Sequence, residues 1–520
     1  MNKIQSLKGD LFGGVTASVI ALPLALAFGV ASGVGAVAGL YGAIVLGFFA
    51  SLFGGTNTQI SGPTGPMTVV TASAVAFFAG DINAVMLVIL LAGGFQILFG
   101  LFKLGQFVRY IPYPVISGFM SGIGIIIIIL EINPFIGADS IGSVLKTLYH
   151  LPTSFAHINI HATLLASIAL LIMFFTPRKL AGYVPPPLLA LIIATLISII
   201  LKLDVQTVGE IPLTLPDFKI PTINWHDTHK LQHILSLSFT LALLGVIDTL
   251  LTSLVADSVT KTKHKPNKEL IGQGIGNALV ALVGGVAGAG ATMRTVINIK
   301  SGGKTRLSGM IHAIFLLLII LFFAPIAAQI PLSVLAGILV KVGIDIVDYK
   351  FLKVIHKSPK IDIIIMLAVF FLTVFVNLIM AVAVGIVLAS ILTIYRVTKE
   401  TGIDIVEHTS NDINLNNESI RVVNINGAFF FGSASIFEQR VSKLLGVNRI
   451  IINCLDVPFM DVTALFTLQE TIVKLKDKSI NVSLILRARH ETKVKNLIDT
   501  DTLQSVKICN SLDDCNLKIL

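Results

Sequence analysis

The chain has 520 residues, of which 54% are hydrophobic and only 13% charged, with a formal net charge of +9. Soluble domains carry about a quarter charged residues, whereas the apolar runs here, with cores at 164–175, 189–201, 311–323 and 361–376, approach the roughly 20 residues a spanning helix needs. A soluble globular protein is therefore excluded, and the positive excess, which lies wholly in the first 400 residues, reads as cytoplasmic loop bias, not as nucleic-acid binding.

In chain order, the opening MNKIQSLKGDLFGG places Lys3 and Lys8 before a first apolar segment. Further spans follow it, so it reads as a retained helix and not a cleaved signal. Fourteen segments are expected, at about 13–33, 36–54, 64–79, 83–102, 110–130, 161–176, 184–202, 234–256, 269–286, 292–300, 307–325, 330–344, 361–377 and 379–396. With a cytoplasmic N-terminus, the inside loops hold Lys103 and Arg109, Arg178 and Lys179, then three lysine-rich clusters around 261–268, 300–306 and 350–360. The long outside loops hold the acids Glu131 and Asp139, then Asp204, Glu210, Asp217 and Asp227. This alternation fits the positive-inside rule, and an even count puts the C-terminus in the cytoplasm too.

The third and tenth segments are short and begin at Gly/Pro/Thr clusters: ISGPTGPMTVV (60–70) and GAGATMRT (288–295). Each is third in a set of seven, and paired interrupted helices in matching places point to an inverted-repeat transporter and its site. The repeats cover about 10–202 and 234–396 within a membrane domain of 1–400. A non-helical break is tolerated at membrane depth where it lines a cavity. Pro63 and Pro66 suit a helix start, and Thr64 is an N-cap-type residue. Two facing half-helix starts would present free N–H groups and positive dipole ends to an anion; Thr64 and Thr292 also fit simple capping. Arg294 fits three roles: a positive field for the site, a partner for an acid, or a topological charge.

The eighth segment, SLSFTLALLGVIDTLLTSLVAD, carries Asp248, the only acid expected near the middle of a span, with Thr252 one turn on. A charge there costs at least ~2.5 kcal/mol and needs a partner. Carboxylate plus hydroxyl suits a hard cation, with carbonyls of the broken tenth segment completing the shell; a protonated or Arg-paired structural Asp is the competing reading. Asp257 reads as topological. His312 reads as a packed residue hydrogen-bonded to backbone before it reads as a proton relay, and Asn277 and Asn298 as interhelical glue. Gly303-Lys304-Thr305 resembles the end of a phosphate loop, but Asn298 occupies the place of its first glycine, and no GxSxG elbow is present, so enzymatic chemistry is not expected.

The tail from 405 to 520 alternates strand-like runs (420–425, 449–455, 480–486) with helical patterns (434–445, 462–476), as in a small α/β domain. Cys454, Cys509 and Cys515 all fall in it; no disulfide framework is visible and a reducing compartment is expected.

ISGPTGPMT, GAGATMRTVINIKSGGKT and the α/β tail together resemble the SulP (sulfate-permease-like) anion transporter family over nearly the whole chain. That resemblance implies fourteen spans in two inverted sevens, a core (spans 1–4 and 8–11), a gate (5–7 and 12–14) and a cytoplasmic STAS domain. IALPLALAFGVASG, FFASLFGGT, DTLLTSLVAD and ELIGQGIGN are most similar to the sodium-dependent bicarbonate transporters of the BicA type. From the likeness, sodium would be held by Asp248, Thr252, Gly290, Ala291 and Thr292. Bicarbonate would be held by Pro63, Thr64 and Gly65 with Ala291 and Thr292. In PFMDVTALFTL (458–468) Val462 stands where regulatory STAS domains carry a phosphorylated serine, leaving Thr463 as the nearby hydroxyl. The expectation is a sodium:bicarbonate symporter with an elevator-like motion, in the plasma (inner) membrane of a bacterium, with no organic cofactor and pairing as a homodimer, its tail supporting the association. The alternatives are a proton-coupled symporter of sulfate or a dicarboxylate, and a non-transporting membrane sensor.

Overall fold

The computed structural model describes residues 3–515 apart from 142, 178–179, 181–183, 210–217, 223–227, 377, 410–418 and 445. Arg178, Lys179, Glu210, Asp217 and Asp227 thus lie outside the described residues. The chain divides into two compact units, Met1–Ile386 and Val387–Leu520.

The first unit is helical: α1 (Lys3–Ala31), α2 (Ala36–Phe53), α3 (Gly65–Phe77), α4 (Ile82–Leu101), α5 (Tyr113–Phe135), α6 (Val144–Ala156), α7 (Ile160–Phe175), α8 (Pro186–Ile200), α9 (Thr228–Thr260), α10 (Pro266–Leu282), α11 (Thr292–Lys300), α12 (Arg306–Ala327), α13 (Leu332–Ile346), α14 (Tyr349–Val354) and α15 (Lys360–Phe375), with α16 (Leu378–Glu400) crossing the boundary. Each of the fourteen expected segments is helical. Among the described residues, six helices are singly long and apolar enough to cross a bilayer, or seven with the bent pair α6 and α7 taken as one. Fourteen is therefore not a count that length and apolarity establish.

Two elements escaped the sequence reading. Helix α6 is amphipathic, with Lys146 and His150 among its apolar residues, so no apolar run marks it. Helix α14 has six residues, with Asp348 accepting from Lys350 N and Phe351 N at its start. Glu131, expected in an outside loop, lies inside α5 and is buried. The run IIIIILEINPF continues as helix until Pro134 and Gly137, so Asp248 is not the only acid within a helical segment.

Packing sorts the helices into two groups. Helices α1, α2 and α4 pack with α9, α10, α11 and α12, and α3 lies against α9. Helices α5, α7, α8, α13 and α15 pack among themselves. The division follows the core and gate implied by the resemblance. Small residues permit the closest crossings: a Cβ on Gly274 of α10 would lie 2.5 Å from the Gly93 carbonyl oxygen of α4.

Two strands of two residues each, β1 (Ser61–Gly62) and β2 (Ala289–Gly290), precede α3 and α11 and pair antiparallel. This small ladder ties the two breaks together. A Cβ on Gly288 would fall 2.2 Å from the Gly62 carbonyl oxygen, so the crossing admits no side chain there.

The second unit holds a five-stranded sheet, ordered β3 (Gly402–Thr409), β4 (Ser419–Asn426), β5 (Arg449–Asn453), β6 (Asn481–Ile485) and β7 (Lys507–Cys509). Strand β3 is antiparallel to β4 and the rest are parallel. Helices α17 (Phe431–Val441), α18 (Val462–Asp477), α19 (Ala488–Leu497) and α20 (Thr500–Gln504) connect the strands. Phe429, Phe437, Leu468, Ile452 and Leu484 are at the heart of its core. The sequence reading missed β3, β7, α19 and α20. It also expected no disulfide, but Cys509 and Cys515 are joined: the chain reverses after β7 and returns the second cysteine to the first.

Candidate functional site

The site grows from the two breaks. Strand β1 leads into Pro63 and Thr64, and Thr64 is the extended N-cap residue of α3. Its side chain makes no capping hydrogen bond, and its buried Oγ1 has no partner. Pro66 contributes no donor in the first turn. Strand β2 leads into Ala291, which is the N-cap of α11 and also caps with no side chain. Thr292, expected as the cap, is instead the first helical residue. Both half-helices therefore begin with first-turn N–H groups that no side-chain cap satisfies, in a zone where each orphan donor favours an anion.

Backbone and side chains lock the crossing. Ala291 N donates to Ile60 O at 2.8 Å, Ile60 N donates to Thr295 Oγ1 at 3.0 Å, and Gly290 N donates to Thr249 Oγ1 at 3.1 Å. Asn277 clamps Gly288 from both sides, donating to its carbonyl at 3.0 Å and accepting from its N–H at 2.9 Å. The same amide donates to Gln96 Oε1 on α4 at 3.0 Å. Asn298 donates to Thr58 O and to Ser308 Oγ. Both asparagines thus join separate elements, as expected.

Helix α9 supplies the oxygens. Thr252 Oγ1 donates to the Gly290 carbonyl at 2.9 Å and meets Thr292 Oγ1 at 2.6 Å. With the Thr252 proton on Gly290, Thr292 donates to Thr252 and keeps its own lone pairs free. One turn earlier, Asp248 faces the Thr64 hydroxyl and lies within Coulombic range of Arg294. Its buried Oδ2 accepts no hydrogen bond. Asp248, Thr252, Gly290 and Thr292 are therefore brought together with Thr64. Ala291 joins through its backbone, although its N–H is spent on Ile60 and its carbonyl accepts from Thr295 N.

Arg294 is 2% exposed and does not reach toward a surface. It spans the two breaks, donating from Nη2 to the Pro63 carbonyl at 2.5 Å, while its buried Nη1 has no partner. A Cβ on Gly62 would sit 2.5 Å from that Nη1, so a side chain there would have to displace the guanidinium. On the far side, Gly65 faces Ile127 of α5 and Ile346 of α13, so the second helix group closes over the start of α3.

The remaining candidates fall elsewhere. His312 is fully buried against Gly47, but neither ring nitrogen is hydrogen-bonded, contrary to the expected backbone partner. Asp257 pairs with His264 at 2.7 Å beyond the end of the apolar stretch. Gly303-Lys304-Thr305 cradles no phosphate, because Lys304 N and Thr305 N both donate to Asp10 Oδ1. In the tail, Asp461 caps α18 by accepting from Ala464 N at 2.8 Å and also accepts from Phe431 N.

A second polar cluster was not foreseen. Glu269 of α10 is buried and accepts from Gly55 N, Thr56 N, Gln59 Nε2 and Gln273 Nε2 at 2.7–3.0 Å. Gln273 also donates to Ser61 Oγ in β1, and Gln59 Oε1 accepts from Ser253 Oγ on α9. This network holds the segment before β1 in place, and so positions Thr64.

Residues 7–369 match the Sulfate permease family and residues 414–515 match the STAS domain. The chain is 45% identical to the bicarbonate transporter BicA of Synechocystis sp. across 99% of its own length and 94% of that protein. Among solved structures, the transmembrane domain of a cyanobacterium bicarbonate transporter BicA superposes with a TM-score of 0.69 at 53% identity, covering 73% of this chain and 98% of that one. SLC26A9 superposes with a TM-score of 0.83 over 99% of this chain and 90% of that one at 18% identity, a likeness of fold. This chain belongs to the sulfate permease family, a family of transporters and not of enzymes, and it carries a STAS domain at its C-terminal end.

Proposed function

We propose that the protein is a sodium-dependent bicarbonate symporter working by elevator-like alternating access. One observation carries this reading. A partnerless carboxylate oxygen of Asp248 and the oxygen cluster of Thr252, Gly290 and Thr292 lie where two uncapped half-helices begin. The oxygens suit a hard cation. The helix starts, with the Thr64 hydroxyl and Arg294, suit a small anion. Sodium would be held by Asp248, Thr252, Gly290, Ala291 and Thr292. Bicarbonate would rest on Pro63, Thr64 and Gly65 with Ala291 and Thr292, and Arg294 would supply positive field. The choice of bicarbonate follows the BicA relatives. The protein would sit in the plasma (inner) membrane as a homodimer, with both termini and the STAS domain cytoplasmic.

The second reading is proton coupling with sulfate or a dicarboxylate, in which Asp248 takes up a proton. The Oδ2 oxygen, which accepts no hydrogen bond within the protein, leaves a place where a proton could be carried. Uptake of labelled bicarbonate at fixed pH, with sodium replaced by an inert organic cation, separates the two. Saturable dependence on external sodium is expected. Uptake that ignores sodium and follows a pH gradient would overturn the reading.

A further inference from the structure

A cleft of about 550 Å³ lies between the two helix groups. Its walls are the outer turns of α3 and α9 on one side and α5, α6 and α15 on the other, marked by Ser73, Thr240, Leu130, Lys146 and Thr373. Along α3 it runs from Phe77 down to Val69, about 12 Å at the helical rise, and stops about 7 Å short of Thr64. Met67, Ile123 and Ile127 are buried below it.

The charge of the cleft is one-sided. Among the described residues its titratable lining groups are Lys146 on α6 and His233 on α9, and no carboxylate lines it. His233 packs against Phe77 with ring centroids 4.2 Å apart, and the His229 ring centroid lies 5.0 Å from that of His233. The nearby acid, Asp81 at the start of α4, is neutralised by Lys230 at 2.7 Å. A recess with low-dielectric walls and one sign of charge concentrates the opposite ion.

We propose that this cleft is the vestibule through which the anion reaches the half-helix site, and that Lys146 on α6 is its electrostatic receptor. The inference rests on the transport reading above. It gives α6, which packs against α5 and α15, a function: the helix carries a cation to the mouth of the path.

Two experiments on the full chain in proteoliposomes or intact cells test it. Lys146→Gln should raise the KM for bicarbonate about threefold at low ionic strength, with kcat unchanged. The difference should vanish at about 0.5 M inert salt, where screening is short-ranged. Lys146→Arg should behave as wild type. An unchanged KM at low salt, or an Arg variant as impaired as the Gln variant, overturns the role of Lys146. The second experiment exploits the absence of cysteine from the first 400 residues. In the tail, burial pushes the Cys454 thiol up to about 12 and the other two cysteines are paired. Ser73→Cys should therefore be modified by an impermeant thiol reagent added outside, read as a mass increase in the membrane unit. No modification at any sodium or bicarbonate concentration overturns the vestibule. This mass readout does not need transport, so its failure is distinct from sodium-blind uptake, which would overturn the transport reading instead.

Discussion

At the scale of single residues, what makes a side chain legible is contrast with its neighbours. Asp248 and Thr252 stand out because a carboxylate and a hydroxyl one turn apart break an apolar run, and Thr64 because it sits between two prolines at a helix start. Glu269 does not stand out, since it lies near the polar end of α10, and its partners Gln59 and Thr56 are 210 and 213 positions away. Its role is created by folding alone. Glu269→Gln keeps the volume but leaves at least one N–H facing another donor. We expect a loss of about 2–4 kcal/mol, read as a lower melting temperature of the purified protein. Thr64 bears on binding more than on stability, because its hydroxyl makes no capping bond and faces Asp248 across the site. Thr64→Leu should insert and fold normally while raising the KM for bicarbonate about tenfold or more, or abolishing uptake. Normal uptake kinetics in that variant would remove Thr64 from the proposed anion site.

At the scale of elements, apolar length and spacing revealed the helices, but the decisive pieces are shorter than any period. Strands β1 and β2 have two residues each, and no alternation is detectable over two positions. Their glycines and flanking threonines signalled a break, while the antiparallel pairing that joins the two breaks became visible only in three dimensions. The same limit hid β3: GIDIVEHT mixes charge with apolar residues, and its partner β4 lies across the intervening segment. Yet all eight residues of β3 pair with β4, Ile403 is buried in the sheet core, and Arg440 of α17 donates to the Ile403 carbonyl. The expected tail of 405–520 therefore cuts a strand. A fragment of 400–520 should be soluble with a cooperative thermal transition, and one of 410–520 should unfold at lower temperature or aggregate through the exposed edge of β4. Equal stability of the two fragments, measured by circular dichroism, would show that β3 adds nothing.

At the scale of the whole molecule, the site lies where one helix group meets the other: Asp248, Thr252, Thr64 and Arg294 belong to the first, and Ile127 and Ile346 close over it from the second. A first group that carries both ions as one body across the second requires that the loaded pair be close to neutral, which one sodium and one bicarbonate would be. It also requires that neither ion travel alone. In the proposed mechanism Asp248 would supply that condition for bicarbonate. An ionised carboxylate about 4 Å from an anion, at an effective dielectric near 20, repels it by about 4 kcal/mol, or nearly a thousandfold in affinity. A sodium ion between them turns repulsion into bridging. Linkage then makes the effect mutual: bicarbonate must tighten sodium by the same factor that sodium tightens bicarbonate. Calorimetric titration of the purified full chain at fixed pH should show weak bicarbonate binding without sodium, strong binding with it, and the reciprocal gain for sodium when bicarbonate saturates. In Asp248→Asn the repulsion would be gone along with the proposed sodium ligand. Bicarbonate should then bind with an affinity that no longer depends on sodium, while sodium-driven uptake is lost. If the variant retains sodium-dependent uptake, or if bicarbonate binding to the wild type does not tighten with sodium, Asp248 is not the coupling residue.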